Sequence, residues 1–226
     1  MASIREKLMQ MYEAMYAHFG PQNWWPGDGA LEIAIGAVLT QNTNWANVER
    51  AIANLKRENL IDIEKLNDIE HARLAELIRP AGYFNVKAKR LKNLMKFLYE
   101  NYEGNLDKFF SLSIERMREE LLSVSGIGRE TADDIILYAA HKPTFVIDAY
   151  TWRIAHRHLL IEYDADYETI KELFESNLDS DVKLFNEYHA LLVATGKNYC
   201  KRKTPVCEKC PLNKFEHNPE PPEEMF

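Results

Sequence analysis

The 226-residue sequence lacks any apolar run approaching the roughly 20 residues that a bilayer-spanning helix needs. Its opening residues, MASIREKLMQMYEAMY, are charged and amphipathic instead of signal-like, so a cytoplasmic protein is expected. Cysteine is scarce: the three present, Cys200, Cys207 and Cys210, are too few and too close together for a disulfide framework, and their clustering points to a metal. Net positive charge is also missing. The formal charge of −7 speaks against a protein that coats nucleic acid over its whole surface, because phosphate binding needs cations along the contact face. No convincing strand pattern and no internal repeat stand out. What is present is helical spacing of apolar residues throughout, with 46% hydrophobic content, enough for one substantial core or two small ones. The expected class is all-α with about ten helices.

The most informative stretch is Leu121–Arg153, LLSVSGIGRETADDIILYAAHKPTFVIDAYTWR. Met117, Leu121 and Val124 on one side, and Ala132, Ile135, Ile136 and Ala139 on the other, predict two helices around Ser125-Gly126-Ile127-Gly128. Two glycines around one aliphatic residue permit a tight turn and leave amide groups at a helix N-terminus, where an anion such as phosphate binds; an ordinary helix connection has the same composition. The apolar run Phe145-Val146-Ile147 then delivers Asp148 to the start of a helix expected over Ala149–Leu160. A carboxylate there either caps the helix or serves as a catalytic group.

GIGRETA followed by VIDAYTWRI resembles the helix–hairpin–helix (HhH-GPD) DNA glycosylases of the endonuclease III superfamily. The resemblance implies a two-lobed helix–hairpin–helix glycosylase fold with a C-terminal cysteine loop. Its central helical barrel-like domain would span 28–140, and its second lobe 1–27 plus 141–226, with Asp148 facing the cleft between them. It implies that the hairpin, Gly126, Ile127 and Gly128 with Arg129 and Thr131, holds a DNA phosphate, and that Asp148 is needed to cut the bond between base and sugar. Bifunctional members carry a lysine where Glu130 stands. A glutamate cannot form a Schiff base, so a monofunctional glycosylase is implied.

Other segments add to this expectation. Asn23-Trp24-Trp25-Pro26-Gly27 places adjacent tryptophans in a loop, where an indole either clamps parts of the fold together or stacks on a base. Thr40-Gln41-Asn42-Thr43-Asn44-Trp45 is a polar cluster after an apolar helix, Leu31–Leu39; in the family LTQ fills the gap left by an extruded nucleotide, a role that falls to Gln41. GYFNVKAKRL is similar to the family's minor-groove loop, with Tyr83 or Phe84 as the wedge, although Phe84 equally suits a core. Six basic residues, Arg79, Lys87, Lys89, Arg90, Lys92 and Lys96, with no acid among them, and a second group, Lys197, Lys201, Arg202 and Lys203, make either solvated faces or phosphate contacts. The helix expected over Lys87–Tyr99 has these bases mostly outside.

Cys200-x6-Cys207-x2-Cys210 matches three ligands of the family's iron–sulfur loop in the segment 200–217. The fourth position falls on Glu216, with His217 next to it. A [4Fe-4S] cluster with an atypical fourth ligand, a zinc site, or a relic loop held by packing are the options, and none is needed for the chemistry. The acidic, proline-rich end, 216–226, reads as a disordered or loosely docked tail.

Trp24-Trp25-Pro26, VLTQNT, IRPAGYFNVKAKRL and GIGRETADDI resemble in particular the 3-methyladenine DNA glycosylase III branch. That likeness implies a base pocket of Trp24, Trp25, Pro26, Trp45 and Glu130 and an alkylated purine as substrate, although the branch typically lacks the cysteine loop. The expected partner is double-stranded DNA with a damaged base, bound by a monomer at the nucleoid, with no membrane. A glycosylase for thymine or uracil opposite guanine, and a non-catalytic DNA-binding module, are the alternatives.

Overall fold

The computed structural model describes residues 3–220, and among these the chain is all-helical, with no strand. The expected tail is described only to residue 220; the rest of that expectation, 221–226, lies outside the described residues. None of the described helices is long and apolar enough to cross a membrane. The chain divides into two compact units, Met1–Trp24 with Pro143–Phe226, and Trp25–Lys142.

In the first unit, α1 (Ile4–Phe19) starts at a capping box. The Ser3 hydroxyl accepts from the Glu6 amide, and the Ser3 amide donates to the Glu6 carboxylate. Gly20, at φ 69°, ends the helix in a conformation that side chains resist. The chain returns at α10 (Ala149–Arg157), α11 (Tyr167–Asn177) and α12 (Val182–Asn198). Their core is aromatic: Phe145 stacks on Phe174 at 4.2 Å, Phe185 meets Phe145 edge-on, and the buried Tyr188 hydroxyl donates to the Leu8 carbonyl at 2.8 Å. Gly196 leaves room on α12 for the Tyr150 ring, because a β-carbon there would collide with it. α10 stops three residues before the expected Leu160, since the amides of Leu159 and Leu160 turn back to His156 and Ala155 and Leu159 takes a left-handed φ of 55°.

In the second unit, α2 (Ala30–Thr40) is buried from Glu32 to Leu39 and carries almost no polar face. Its one acid, Glu32, is paired with Lys56 at 2.7 Å. α3 (Trp45–Arg57) is capped by Asn44 and buries Val48, Ala51, Ile52 and Leu55. Short helices α4 (Ile63–Asp68) and α5 (His71–Leu77) lead through a 3-10 turn, Arg79–Ala81, into α6 (Phe84–Tyr102), the longest helix. It extends three residues beyond the expected span at each end. Then come α7 (Leu106–Phe110), α8 (Ile114–Ser123), the hairpin, and α9 (Arg129–Asp134), which continues as a π-helical turn through Ala139.

Candidate functional site

Asp148 is the N-cap of α10. Its Oδ1 accepts from the Thr151 amide at 2.7 Å and from the Thr151 hydroxyl at 2.9 Å. That leaves Oδ2 outside the cap, 3.8 Å from Nε2 of His189 on α12. The capping and catalytic readings of this carboxylate are therefore compatible, one oxygen for each. His189 is buried, and burial holds its imidazole below the usual pKa against the opposing pull of Asp148. Burial thus favours the neutral form of this imidazole.

The hairpin lies in the other unit. Gly126 has φ 99°, open to glycine alone without strain, and a β-carbon there would also run into the Arg90 side chain. Gly128 caps α9 with extended backbone and no side-chain cap. The Ile127 side chain is buried and its amide donates inward to Val124, while Thr131 is buried with its hydroxyl accepting from the Gln41 side-chain amide at 2.9 Å. Those two residues face the fold, whereas Arg129 and Glu130 are exposed on the first turn of α9. Gln41 also donates to the Gly126 carbonyl at 3.3 Å and accepts from Arg90. Tyr83 is 72% exposed, in a left-handed conformation (φ 43°) at the start of α6; Phe84 is half-buried with Arg79 over its ring.

The six-base group is not the outward face expected from the sequence. Lys87 is 1% exposed, and its amine donates to the carbonyls of Leu39 at 2.8 Å and Ala81 at 2.7 Å. Lys92 donates to the carbonyls of Asn67 and Ile69. Lys87 falls on the α6 stripe with Leu91, Leu94 and Leu98, so helix geometry turns it inward. Arg79, Lys89 and Lys96 of the six are exposed, and Arg90 is half-buried on Gln41.

The tryptophan pair splits between the units. Trp25 meets Trp45 edge-on at 5.3 Å and Tyr138 at 5.1 Å. The absent side chain of Gly36 lets both indoles approach α2: a β-carbon there would lie 3.2 Å from Trp25 and 3.5 Å from Trp45. Trp45 donates its indole N–H to Glu49 at 2.8 Å. Trp24, in contrast, carries the Lys197 ammonium over its ring at 5.6 Å. Pro26 is exposed.

Cys200 lies buried two residues beyond α12, and Cys207 and Cys210 bound a 3-10 turn. All three line one small cavity with Arg157, Thr195, His158 and His217. Among the described residues no three His, Cys, Asp or Glu side chains gather closely enough to hold a metal ion. Burial pushes the Cys207 thiol up and the Cys210 thiol up to about 11, and Arg157 donates to the Cys200 sulfur at 3.2 Å. In donor chemistry the set suits a soft-ligand metal. The His217 Nδ1 proton donates to the Phe215 carbonyl at 2.7 Å, which leaves Nε2 with its lone pair, whereas of Glu216 the backbone carbonyl is engaged, by His158.

Residues 35–180 match the model of the HhH-GPD superfamily of base excision DNA repair proteins. The chain belongs to that family. A Methanocaldococcus jannaschii protein provisionally named a DNA repair glycosylase is 47% identical over 93% of this chain and 96% of its own. Endonuclease III of Sulfolobus acidocaldarius is 30% identical over 80% and 78%. Among solved structures, the 3-methyladenine DNA glycosylase of H. pylori bound to 1,N6-ethenoadenine is similar with a TM-score of 0.73 and 29% identity, over 87% of this chain and 98% of that one.

Sequence reasoning put forward Asp148, Gln41 and Tyr83; it did not anticipate His189 beside Asp148, Tyr138 against Trp25, or the inward contacts of Arg90 and Lys87. Lys87 carried a usable signal, its place four residues before Leu91 on the apolar stripe. His189 sits in an otherwise apolar helix segment, YHALLV, which marks it as buried without saying what it faces.

Proposed function

We propose that the protein is a monofunctional DNA glycosylase that acts as a monomer on double-stranded DNA and excises alkylated purines such as 3-methyladenine. The observation that carries this reading is the aromatic group around Gly36, in which the half-buried Trp25 and Trp45 are backed by the buried Tyr138, because electron-rich faces favour a cationic alkylated base. The similarity to the H. pylori enzyme supports it. In this reading a damaged nucleotide leaves the stack, Gln41 and Tyr83 occupy its place, and the hairpin main chain with Arg129 holds the backbone. The carboxylate of Asp148 stabilises the oxocarbenium-like sugar and orients the attacking water. Trp24 and Pro26 border the aromatic group in sequence.

Glu130 offers no amine, and the one lysine with a markedly lowered pKa, Lys87 at about 8, is buried with its amine on two carbonyls. Both points favour cleavage that stops at the abasic site. A [4Fe-4S] cluster or zinc on Cys200, Cys207 and Cys210, with His217 as fourth ligand, would brace the loop bearing Lys201, Arg202 and Lys203. Such a metal supplies structure there; Asp148 carries the bond cleavage.

The test is a panel of duplexes, each with one lesion, incubated with protein and then with or without hot alkali, in parallel with borohydride. Expected is alkali-dependent cleavage at 3-methyladenine and no trapped adduct. Release only of thymine or uracil opposite guanine establishes the mismatch alternative; binding without release establishes a non-catalytic module; a borohydride adduct establishes lyase activity.

A further inference from the structure

The last carbonyls of a helix have no partner within it and carry the negative end of the helix dipole. The Leu39 carbonyl lies in the last turn of α2, two residues before Gln41, and the Ala81 carbonyl ends the 3-10 turn two residues before Tyr83. Both accept from one buried amine, that of Lys87, at 2.8 and 2.7 Å. Each loop also holds a non-glycine residue in left-handed backbone, Asn42 at φ 54° and Tyr83 at φ 43°. Such conformations persist only where the surroundings over-determine them.

Along the same helix the pattern continues at a spacing of three. Arg90 holds the Gln41 carboxamide oxygen and fills the space that Gly126 leaves, and Asn93 donates to the Ser125 carbonyl at 2.9 Å. One edge of α6 thereby touches the Gln41 loop, the Tyr83 loop and the hairpin in turn.

We propose that Lys87 is a positioning residue whose buried ammonium ties the main chain before Gln41 to the main chain before Tyr83, so that both enter a damaged duplex as one preorganised frame. This rests on the reading of Gln41 and Tyr83 as the residues that enter the duplex. Lys87 itself touches no DNA, because it is 1% exposed. Its effect falls on discrimination between damaged and intact duplex, since filling a gap demands both loops in register whereas phosphate contact does not.

The experiment measures affinity for a duplex with a tetrahydrofuran abasic analogue against the intact duplex, for the full chain and for Lys87→Met, Lys92→Met, Gln41→Ala and Tyr83→Ala. A 2-aminopurine beside the analogue reports gap filling at saturating protein. Lys92 makes a closely similar pair of bonds, to carbonyls at the C-terminal end of α4, and serves as the comparison for lost amine capping alone. Expected is a loss of discrimination of at least tenfold and a reduced 2-aminopurine change for Lys87→Met, with Lys92→Met within twofold of wild type. Lys87→Gln, which retains one donor pair, should fall between, and it carries the test should the methionine variant fail to fold. Discrimination by Lys87→Met or Lys87→Gln within twofold of wild type overturns the proposal while Gln41→Ala and Tyr83→Ala still lose it. If those two variants keep full discrimination, the reading of the loops fails, and the proposal with it.

Discussion

Replacing Asp148 with asparagine separates the capping job of this side chain from the catalytic job proposed for it. The carboxamide oxygen of that variant can still accept from the Thr151 amide and hydroxyl, as Oδ1 does at 2.7 and 2.9 Å, and asparagine caps a helix about as well as aspartate. What disappears is the charge at the N-terminus of α10, worth about 0.5 kcal/mol to the helix. The catalytic loss is larger. A unit charge about 4 Å from a developing cation, at an effective dielectric near 20, contributes ~4 kcal/mol, and allowing for imperfect geometry a 10²- to 10³-fold fall in rate is expected. Single-turnover release of 3-methyladenine should show that fall while melting moves by only a few degrees and duplex affinity holds. Asp148→Ala should lose the same rate and a further ~1 kcal/mol of stability, because the cap goes too. A rate for Asp148→Asn within tenfold of wild type would falsify the electrostatic role and leave Asp148 as a cap alone.

Three further outcomes are expected. Trp25→Ala should slow release of a cationic alkylpurine by tenfold to a hundredfold, from ~1–3 kcal/mol of lost stacking, and slow uracil release less; Trp24→Ala should do neither to that extent, since Lys197 already occupies a face of that ring. Equal losses on both substrates, or lost helicity by circular dichroism, would assign Trp25 to packing. Anaerobically purified protein should hold stoichiometric zinc, or iron with matching sulfide, lost in Cys207→Ser; elemental analysis finding neither metal would leave a loop held by packing. Burial lowers the Lys87 pKa from near 10.5 to about 8, so the unfolded chain binds more protons between those values. The stability of wild type relative to Lys87→Met should therefore rise with pH across that window, by ~3 kcal/mol at 1.36 kcal/mol per pH unit, and stay level below about pH 8. Denaturant melts at pH 7, 8, 9 and 10 decide this, and a flat difference refutes the buried-charge account.

Much of the helical order was legible because period and punctuation agree in this chain. α1 ends where Gly20 must take a positive φ, α3 starts at Asn44, and the glycine hairpin separates α8 from α9. The fold class follows from such local signals and from the family motif. Side-chain partners were less legible, because they depend on which faces meet. Adjacent Trp24 and Trp25 look equivalent in sequence, yet one belongs with Lys197 and the other with Trp45, Tyr138 and Gly36. A cluster of six bases looks like a phosphate-facing surface, yet Lys87 and Lys92 are spent on carbonyls and Arg90 on Gln41.

The same holds for Gly126. As a sequence motif it announces close approach of a phosphate, and its φ of 99° accounts for glycine on backbone grounds alone. The structure adds a demand from inside, because the Arg90 side chain fills the space a β-carbon would need, and Arg90 in turn holds Gln41. Two requirements thus converge on one residue, one of conformation and one of packing, and either would suffice to exclude alanine. Through Gly126 the conformation of the hairpin is thereby coupled to the placement of Arg90 and Gln41, so a change at the hairpin would also shift the polar group next to it.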